Sequence, residues 1–228
     1  MVGAGILSEL PVNFPRHKNR LFKLGHTGKW ELAEAPLHMN INKIEGITPG
    51  FGPGLAFADS LANIHPGINI GLVPCAKEGS SITQWNHSKK QTTLYASCLA
   101  RSLTAAKSGI IKGLLWYQGE SDTYSAQAAS AWPRKFEALV KAFRRDLNLP
   151  HLPVVFAQVG KLGGAYAHQA AYNHWETLKR AQEQIDLPHV VMVKADGLET
   201  SDGVHLTAAS NYELGRIMAE AMDKLAYR

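Results

Sequence analysis

Short apolar runs alternating with amphipathic segments predict a three-layer α/β/α protein built on a doubly wound parallel sheet. Three observations carry this expectation. Ile68–Cys75, Ile110–Tyr117, Pro153–Val159 and Val190–Lys194 are strand-length and rich in β-branched residues. Helical spacing follows or separates them, over Leu94–Ala106, Ala128–Leu147, Gln169–Ile185 and Ala208–Leu225. Polar residues then crowd directly behind the apolar runs, where ligands sit in open parallel sheets.

The near-continuous apolar character of the four runs suits strands covered on both faces. In the second helical segment Phe136, Leu139, Val140 and Phe143 share one face, while Lys135, Glu137, Lys141 and Arg144 lie largely away from it. Gly54–Ile64 reads as an earlier helix with Leu55, Ala58 and Leu61 turned inward. The Pro-, Asn-, Gly- and Lys-rich region ahead of it offers no convincing buried strand. A doubly wound sheet normally keeps its first strand inside the sheet, so the first strand is expected to be missing from this chain.

Length and composition bound the rest. A chain of 228 residues, 45% hydrophobic and 19% charged, suits one compact domain over residues 1–228. The net charge of +5 comes from scattered Lys and Arg, the densest pairs being Lys89-Lys90 and Arg144-Arg145. Solvated faces account for them, and a nucleic-acid partner is not indicated. No run has the length of a membrane span. Cys75 and Cys98 are too few for a disulfide framework and lack metal-ligand spacing, and a small core role suits Cys75. The ten histidines are dispersed, and no metal site is expected. Neither a dinucleotide glycine pattern nor a P-loop occurs; Gly50-Phe51-Gly52-Pro53-Gly54 has the wrong spacing.

Three polar clusters follow predicted strands. Trp116-Tyr117-Gln118-Gly119-Glu120-Ser121-Asp122 is the most informative, a glycine between two polar side chains allowing close backbone approach. Behind the first run, Gly79 offers a backbone N–H that can serve an oxyanion, or simply a βα turn. Asp202 and His205, three residues apart in the loop before the last helix, allow the carboxylate to fix one ring nitrogen and leave the other free as a base. Thr207 suits the N-cap of that helix.

Together, Leu72-Val73-Pro74-Cys75-Ala76 with Gly79 and Trp85, Leu115–Asp122, and Asp202-Gly203-Val204-His205-Leu206-Thr207 give a resemblance over essentially the whole chain. The chain resembles the SGNH-type hydrolases, of flavodoxin-like fold, and within them the carbohydrate esterases that include sialate O-acetylesterase-like and acetylxylan esterase-like proteins. The resemblance implies His205 as general base and Asp202 as its orienting carboxylate. It implies an oxyanion hole from the Gly79 N–H and the Gln118 side chain. Glu120 would hold the site's hydrogen-bond network or cap the next helix. Trp85 and Trp116 would face a sugar or pack in the core. The substrate would be an acetylated carbohydrate, hydrolysed through a serine acyl-enzyme without a cofactor.

The family's nucleophile lies in a Gly-Gln-Ser-Asn-Met block directly after the first strand. Met1-Val2-Gly3-Ala4-Gly5 resembles the tail of that block, which puts the serine two residues ahead of Met1 and makes the chain truncated at its N-terminus. Ser8 lacks the tight strand-to-helix turn that exposes a nucleophile, Ser80 and Ser81 follow Gly79 but would normally satisfy turn backbone groups, and Cys75 is buried within a strand with no obvious activating partner. A sugar-binding protein of the same fold without turnover is the alternative reading.

Overall fold

The computed structural model describes residues 2–38, 49–88 and 93–227; Met1 and the Lys89-Lys90 pair lie outside them. Its strands and helices are β1 (Leu21–Leu24), β2 (Trp30–Leu32), α1 (Pro53–Ile64), β3 (Ile70–Leu72), α2 (Leu94–Ala105), β4 (Leu114–Tyr117), α3 (Ala126–Asp146), β5 (Val154–Ala157), α4 (Trp175–Gln182), β6 (Val190–Val193) and α5 (Ala208–Ala226). The strands form two three-stranded sheets, ordered β2-β1-β3 and β4-β5-β6. All pairings are parallel except β1 with β2.

Side chains alternate across β5 as a strand buried on both faces requires. Val155 and Ala157 join α1 and α5 in one core, around Leu55, Leu61, Leu214 and Met218. Val154 and Phe156 join α2, α3 and α4 in the other, around Tyr95, Trp132, Phe136 and Leu178. The face predicted for α3 is the buried one, with Phe136, Leu139, Val140 and Phe143 all in the core. Thr93, Ser125 and Thr207 cap α2, α3 and α5, each side-chain oxygen accepting a backbone N–H from the first turn at 3.1 Å. Among the described residues no helix is long and apolar enough to cross a membrane.

Several boundaries differ from the sequence expectation. β3 stops at Leu72 because Pro74 has no N–H to continue a ladder. β4 begins only at Leu114, bonded to the Pro153 carbonyl at 2.9 Å, because its partner β5 supplies nothing opposite residues 110–112. Ile110 is exposed as a result. The helix expected over Gln169–Ile185 is confined to α4. The backbone ahead of it turns outward, with the His174 N–H reaching the Thr123 carbonyl at 3.3 Å and Ala170–Tyr172 wound as a 3-10 turn.

β1 and β2 were not expected. Leu21 and Leu24 are buried, so the region before α1 does hold a strand, but a four-residue one with Lys23 in its centre and Arg20 beside it. It lies outside β3, and among the described residues no strand joins β3 to β4.

Cys75 and Cys98 form a disulfide, with Cα atoms 5.3 Å apart, joining the segment after β3 to α2. This corrects the reading of Cys75 as a simple core residue: two cysteines cannot build a framework, but they can close one loop. Replacing both by serine should lower stability by about 3 kcal/mol, the loop-closure value for a bridge spanning a few tens of residues. Urea unfolding checks this, and a midpoint of the unaltered chain that ignores reductant would show the bond is not formed.

Candidate active site

Asp202 and His205 are brought together by a tight reversal between β6 and α5. Asp202 Oδ1 accepts the backbone N–H groups of Val204 and His205, at 2.9 and 2.8 Å. Asp202 Oδ2 lies 2.6 Å from His205 Nδ1. Burial opposes ionisation of Asp202, but the hydrogen bonds from the His205 ring and from these two amides outweigh it and hold the carboxyl below its usual range. The tautomer with hydrogen on Nδ1 satisfies this geometry and leaves Nε2 as an acceptor. No described residue shares a hydrogen bond with Nε2.

Glycine is required at position 203 for this reversal. Its φ is +103°, and a Cβ there would be driven into the Gly163 carbonyl, whose own N–H donates to Gly203 O at 2.9 Å.

Behind β4, Gln118 is buried and all its amide groups are engaged. Its Nε2 donates to the Ser80 carbonyl at 2.9 Å and to Asp122 Oδ2 at 2.6 Å. Its Oε1 accepts from Trp132 Nε1 at 3.1 Å. Both amide hydrogens are therefore committed inside the protein, whereas the sequence expectation reserved one for a ligand oxyanion. Asp122 Oδ2 also accepts the Ile82 N–H at 2.8 Å. Burial raises the Asp122 carboxyl against the lowering effect of the Gln118 and Ile82 hydrogen bonds.

Gly79 has φ +62°, and nothing lies within 4 Å of where a side chain would begin. Ser121 Oγ donates to its carbonyl at 3.0 Å. Glu120 Oε2 accepts the Gly119 N–H at 2.9 Å at the start of a 3-10 turn. The close backbone approach expected at Gly119 occurs against the core: a Cβ there would stand 2.7 Å from Leu178 Cδ2.

Gly79, Gln118, Glu120 and His205 line one cavity of about 870 Å³. Trp85 and Trp116 border it too, but their faces are spent on packing. They are 3% and 7% exposed and meet edge to face at 5.1 Å, and Trp85 Nε1 donates to Ser80 Oγ at 3.0 Å. Sequence reasoning missed Tyr124, an exposed aromatic lining the same cavity. It missed Tyr166, whose ring stands edge-on to His205 at 6.4 Å. It also missed Trp132, fourteen residues beyond Gln118, since nothing in the spacing marks an indole on α3 as its partner. Among the described residues no three His, Cys, Asp or Glu side chains gather to share a metal ion.

Ser80 and Ser81 are occupied structurally. Ser80 Oγ donates to the Lys77 carbonyl at 2.7 Å, and Ser81 heads a capping box with Gln84. Ser8 lies in a 3-10 turn, Leu7–Glu9, outside the cavity wall.

Helices on both faces of parallel strands, with polar clusters at the strands' C-terminal ends, define an SGNH-like α/β protein. The chain belongs to the carbohydrate esterase family of sialic acid-specific acetylesterases, whose family model matches residues 1–224. It is 36% identical over 205 residues to a "probable carbohydrate esterase" of Arabidopsis thaliana, covering 88% of this chain and 74% of that one. A crystal structure of an Arabidopsis thaliana protein superposes with a TM-score of 0.85 at 32% identity, covering 99% of this chain and 94% of the other. A carbohydrate acetylesterase of Xanthomonas citri shares the fold, at TM-score 0.66 and 21% identity, covering 91% of this chain and 49% of that one.

Two outcomes follow from this geometry. Gln118→Ala leaves the Ser80 carbonyl and the Trp132 indole without this partner and removes one of the two hydrogen bonds to Asp122 Oδ2, and should cost about 3 kcal/mol of stability, measured by urea unfolding. A change confined to catalysis, with stability intact, would show that these hydrogen bonds do not form. Asp202, with its folded pKa lowered, contributes stability that is complete above the unfolded carboxylate value of about 3.9 and lost as pH falls through the lower folded value. Asp202→Asn should therefore lower the melting temperature at pH 7 and lower it progressively less as the pH falls below the unfolded value; a loss independent of pH would contradict the pairing.

Proposed function

We propose that this chain is the body of a carbohydrate O-acetylesterase that hydrolyses acetyl esters on sugars through a serine acyl-enzyme. The supporting observation is the Asp202–His205 pair, with a free Nε2 at the rim of the cavity that Gly79 also lines. His205 would take the proton of the attacking hydroxyl and return it to the departing sugar oxygen. Asp202, kept ionised, would stabilise the imidazolium formed between those steps. Gly79 N–H would face the tetrahedral oxyanion, and Gln118 would join it by exchanging its bond to the Ser80 carbonyl for one to the oxyanion. Tyr124 would meet the sugar.

The nucleophile in this reading is a serine, and Ser8, Ser80 and Ser81 make no hydrogen bond with His205 among the described residues. The same observation favours a second reading, a sugar-binding protein of this fold without turnover.

Acetate release from O-acetylated sialic acid and from acetylated xylo-oligosaccharides separates the two. The chain extended by a strand ending in Gly-Gln-Ser-Asn should turn over. His205→Ala in that background should reduce turnover by about a hundredfold or more, with binding of the deacetylated sugar retained. Near-normal turnover by a folded His205→Ala variant would remove His205 from the mechanism. Saturable sugar binding without turnover in the extended chain would establish the binding reading.

A further inference from the structure

A row of aromatic rings leads away from the Asp202–His205 pair. The Tyr166 ring stands 6.4 Å from that of His205, Tyr172 follows 5.4 Å from Tyr166, and Tyr124 lies 5.8 Å from Tyr172, each meeting the next edge to face. Tyr124 and Tyr172 line the cavity. Tyr166 and Tyr172 are half-buried, whereas Tyr124 is 56% exposed. A phenol ring left that open offers solvent an apolar face and a polar tip.

The row is held from both ends. Tyr166 and Tyr172 sit on successive 3-10 turns, Gly164–His168 and Ala170–Tyr172, in the segment after β5. Where that segment starts, the Gly163 N–H donates to Gly203 O at 2.9 Å, inside the turn that carries Asp202 and His205. Where it finishes, the His174 N–H donates to the Thr123 carbonyl at 3.3 Å, one residue before Tyr124. Tyr172 also meets the buried Trp175 ring at 5.7 Å. The segment thus spans the two site turns, and its rings are placed before a ligand arrives, which removes an ordering cost from binding.

Charge beside the row is negative. Burial first, and then Tyr124, with which it shares a hydrogen bond, Tyr166 and Glu120, push the Tyr172 hydroxyl up to about 12. It remains neutral and feels the Glu120 carboxylate. Glu78 and Glu120 both line the cavity, and Asp202 is ionised against His205. Among the described residues no arginine lines it. Its lysines are Lys77, next to Glu78, and Lys112, which stands over the Tyr227 ring and precedes β4, at the opposite end of that strand from Gln118.

We propose that Tyr124 and Tyr172, braced by Tyr166, form the subsite for the sugar ring, and that this subsite selects an uncharged pyranoside over an anionic sugar. The inference rests on the sugar-handling reading of the cavity and not on turnover. An ester's departing oxygen needs the proton held at His205 Nε2, so the sugar lies on the side where the aromatic row begins. A pyranose with equatorial hydroxyls turns axial C–H groups outward on both faces, and these suit the negative face of a phenol ring. Its rim of hydroxyls suits the neutral Tyr172 hydroxyl. A sugar carrying a carboxylate brings a like charge towards Glu120 and Glu78 and finds no guanidinium to pair with.

Calorimetric titration of the chain with xylotriose and with N-acetylneuraminic acid tests both parts. Xylotriose should bind saturably, and N-acetylneuraminic acid about tenfold more weakly. Tyr124→Ala and Tyr172→Ala should each weaken xylotriose by about fivefold or more, and Tyr124→Phe, which keeps the ring, by less than about twofold. Tyr172→Ala also removes a neighbour of Trp175, so the exposed Tyr124 carries the test if that variant unfolds. Glu120→Gln, which keeps an acceptor for the Gly119 N–H, should narrow the gap between the two sugars by about threefold. Unchanged xylotriose affinity in a folded Tyr124→Ala variant would overturn the subsite, as would the lack of saturable binding of either sugar. N-acetylneuraminic acid binding as tightly as xylotriose, or a gap that ignores Glu120→Gln, would overturn the selection by charge. Sugar binding that depends on Tyr124, with no acetate released, counts against the esterase reading alone; acetate release and sugar affinity that both ignore Tyr124→Ala count against the subsite alone.

Discussion

The carboxamide of Gln118 is the interaction on which the site end of the molecule depends. Among the described residues no backbone ladder joins β3 to β4, and side chains hold the half-sheets in place. Gln118 bonds simultaneously to the segment after β3, to Asp122 in its own turn and to Trp132 on α3. Asp122 then fixes Ile82, and Ser121 fixes Gly79. A primary amide suits this junction because it offers two donors and an acceptor in one plane. A carboxylate would have to accept where Ser80 and Asp122 also accept. Low local dielectric strengthens each of these bonds and raises the cost of breaking any one. The disulfide from Cys75 to Cys98 supports the same junction covalently.

The layered architecture was legible because parallel strands buried on both faces write themselves as continuous apolar runs. β5 is the best case, with all four residues buried. α3 was equally plain, since a long helix repeats its pattern often enough to be unambiguous. What escaped notice was short or set by distant partners. β1 carries only two buried residues around Lys23, and β4 loses its first half because β5 does not reach far enough to pair with it. The segment before α4 fails to become helix because Thr123, fifty residues earlier, captures its backbone. Periodicity cannot see such competition.

In the site, local chemistry was legible and orientation was not. Asp202 and His205 meet because three residues of one turn separate them, and sequence spacing contains that fact. Whether Gln118 points its hydrogens outward or inward depends on Ser80, Asp122 and Trp132. Only Asp122 stands in the same motif. The two tryptophans teach the same lesson, their exposure being decided by each other and by Phe136.

The reversal at Gly203 sets how the Asp202–His205 pair can change over generations. No L-residue fits where the Gly163 carbonyl already stands, and φ +103° is itself rarely adopted by one. Even alanine must push apart the loops carrying Gly163 and Asp202, and so shift the imidazole. The loop carrying Asp202 plants Val204 in one apolar core and Leu206 in the other, and Leu162 beside Gly163 packs against the first of these. A single nucleotide change at this codon therefore disturbs the pair and the packing together. Selection for a folded, abundant protein preserves the alignment of the pair as a by-product.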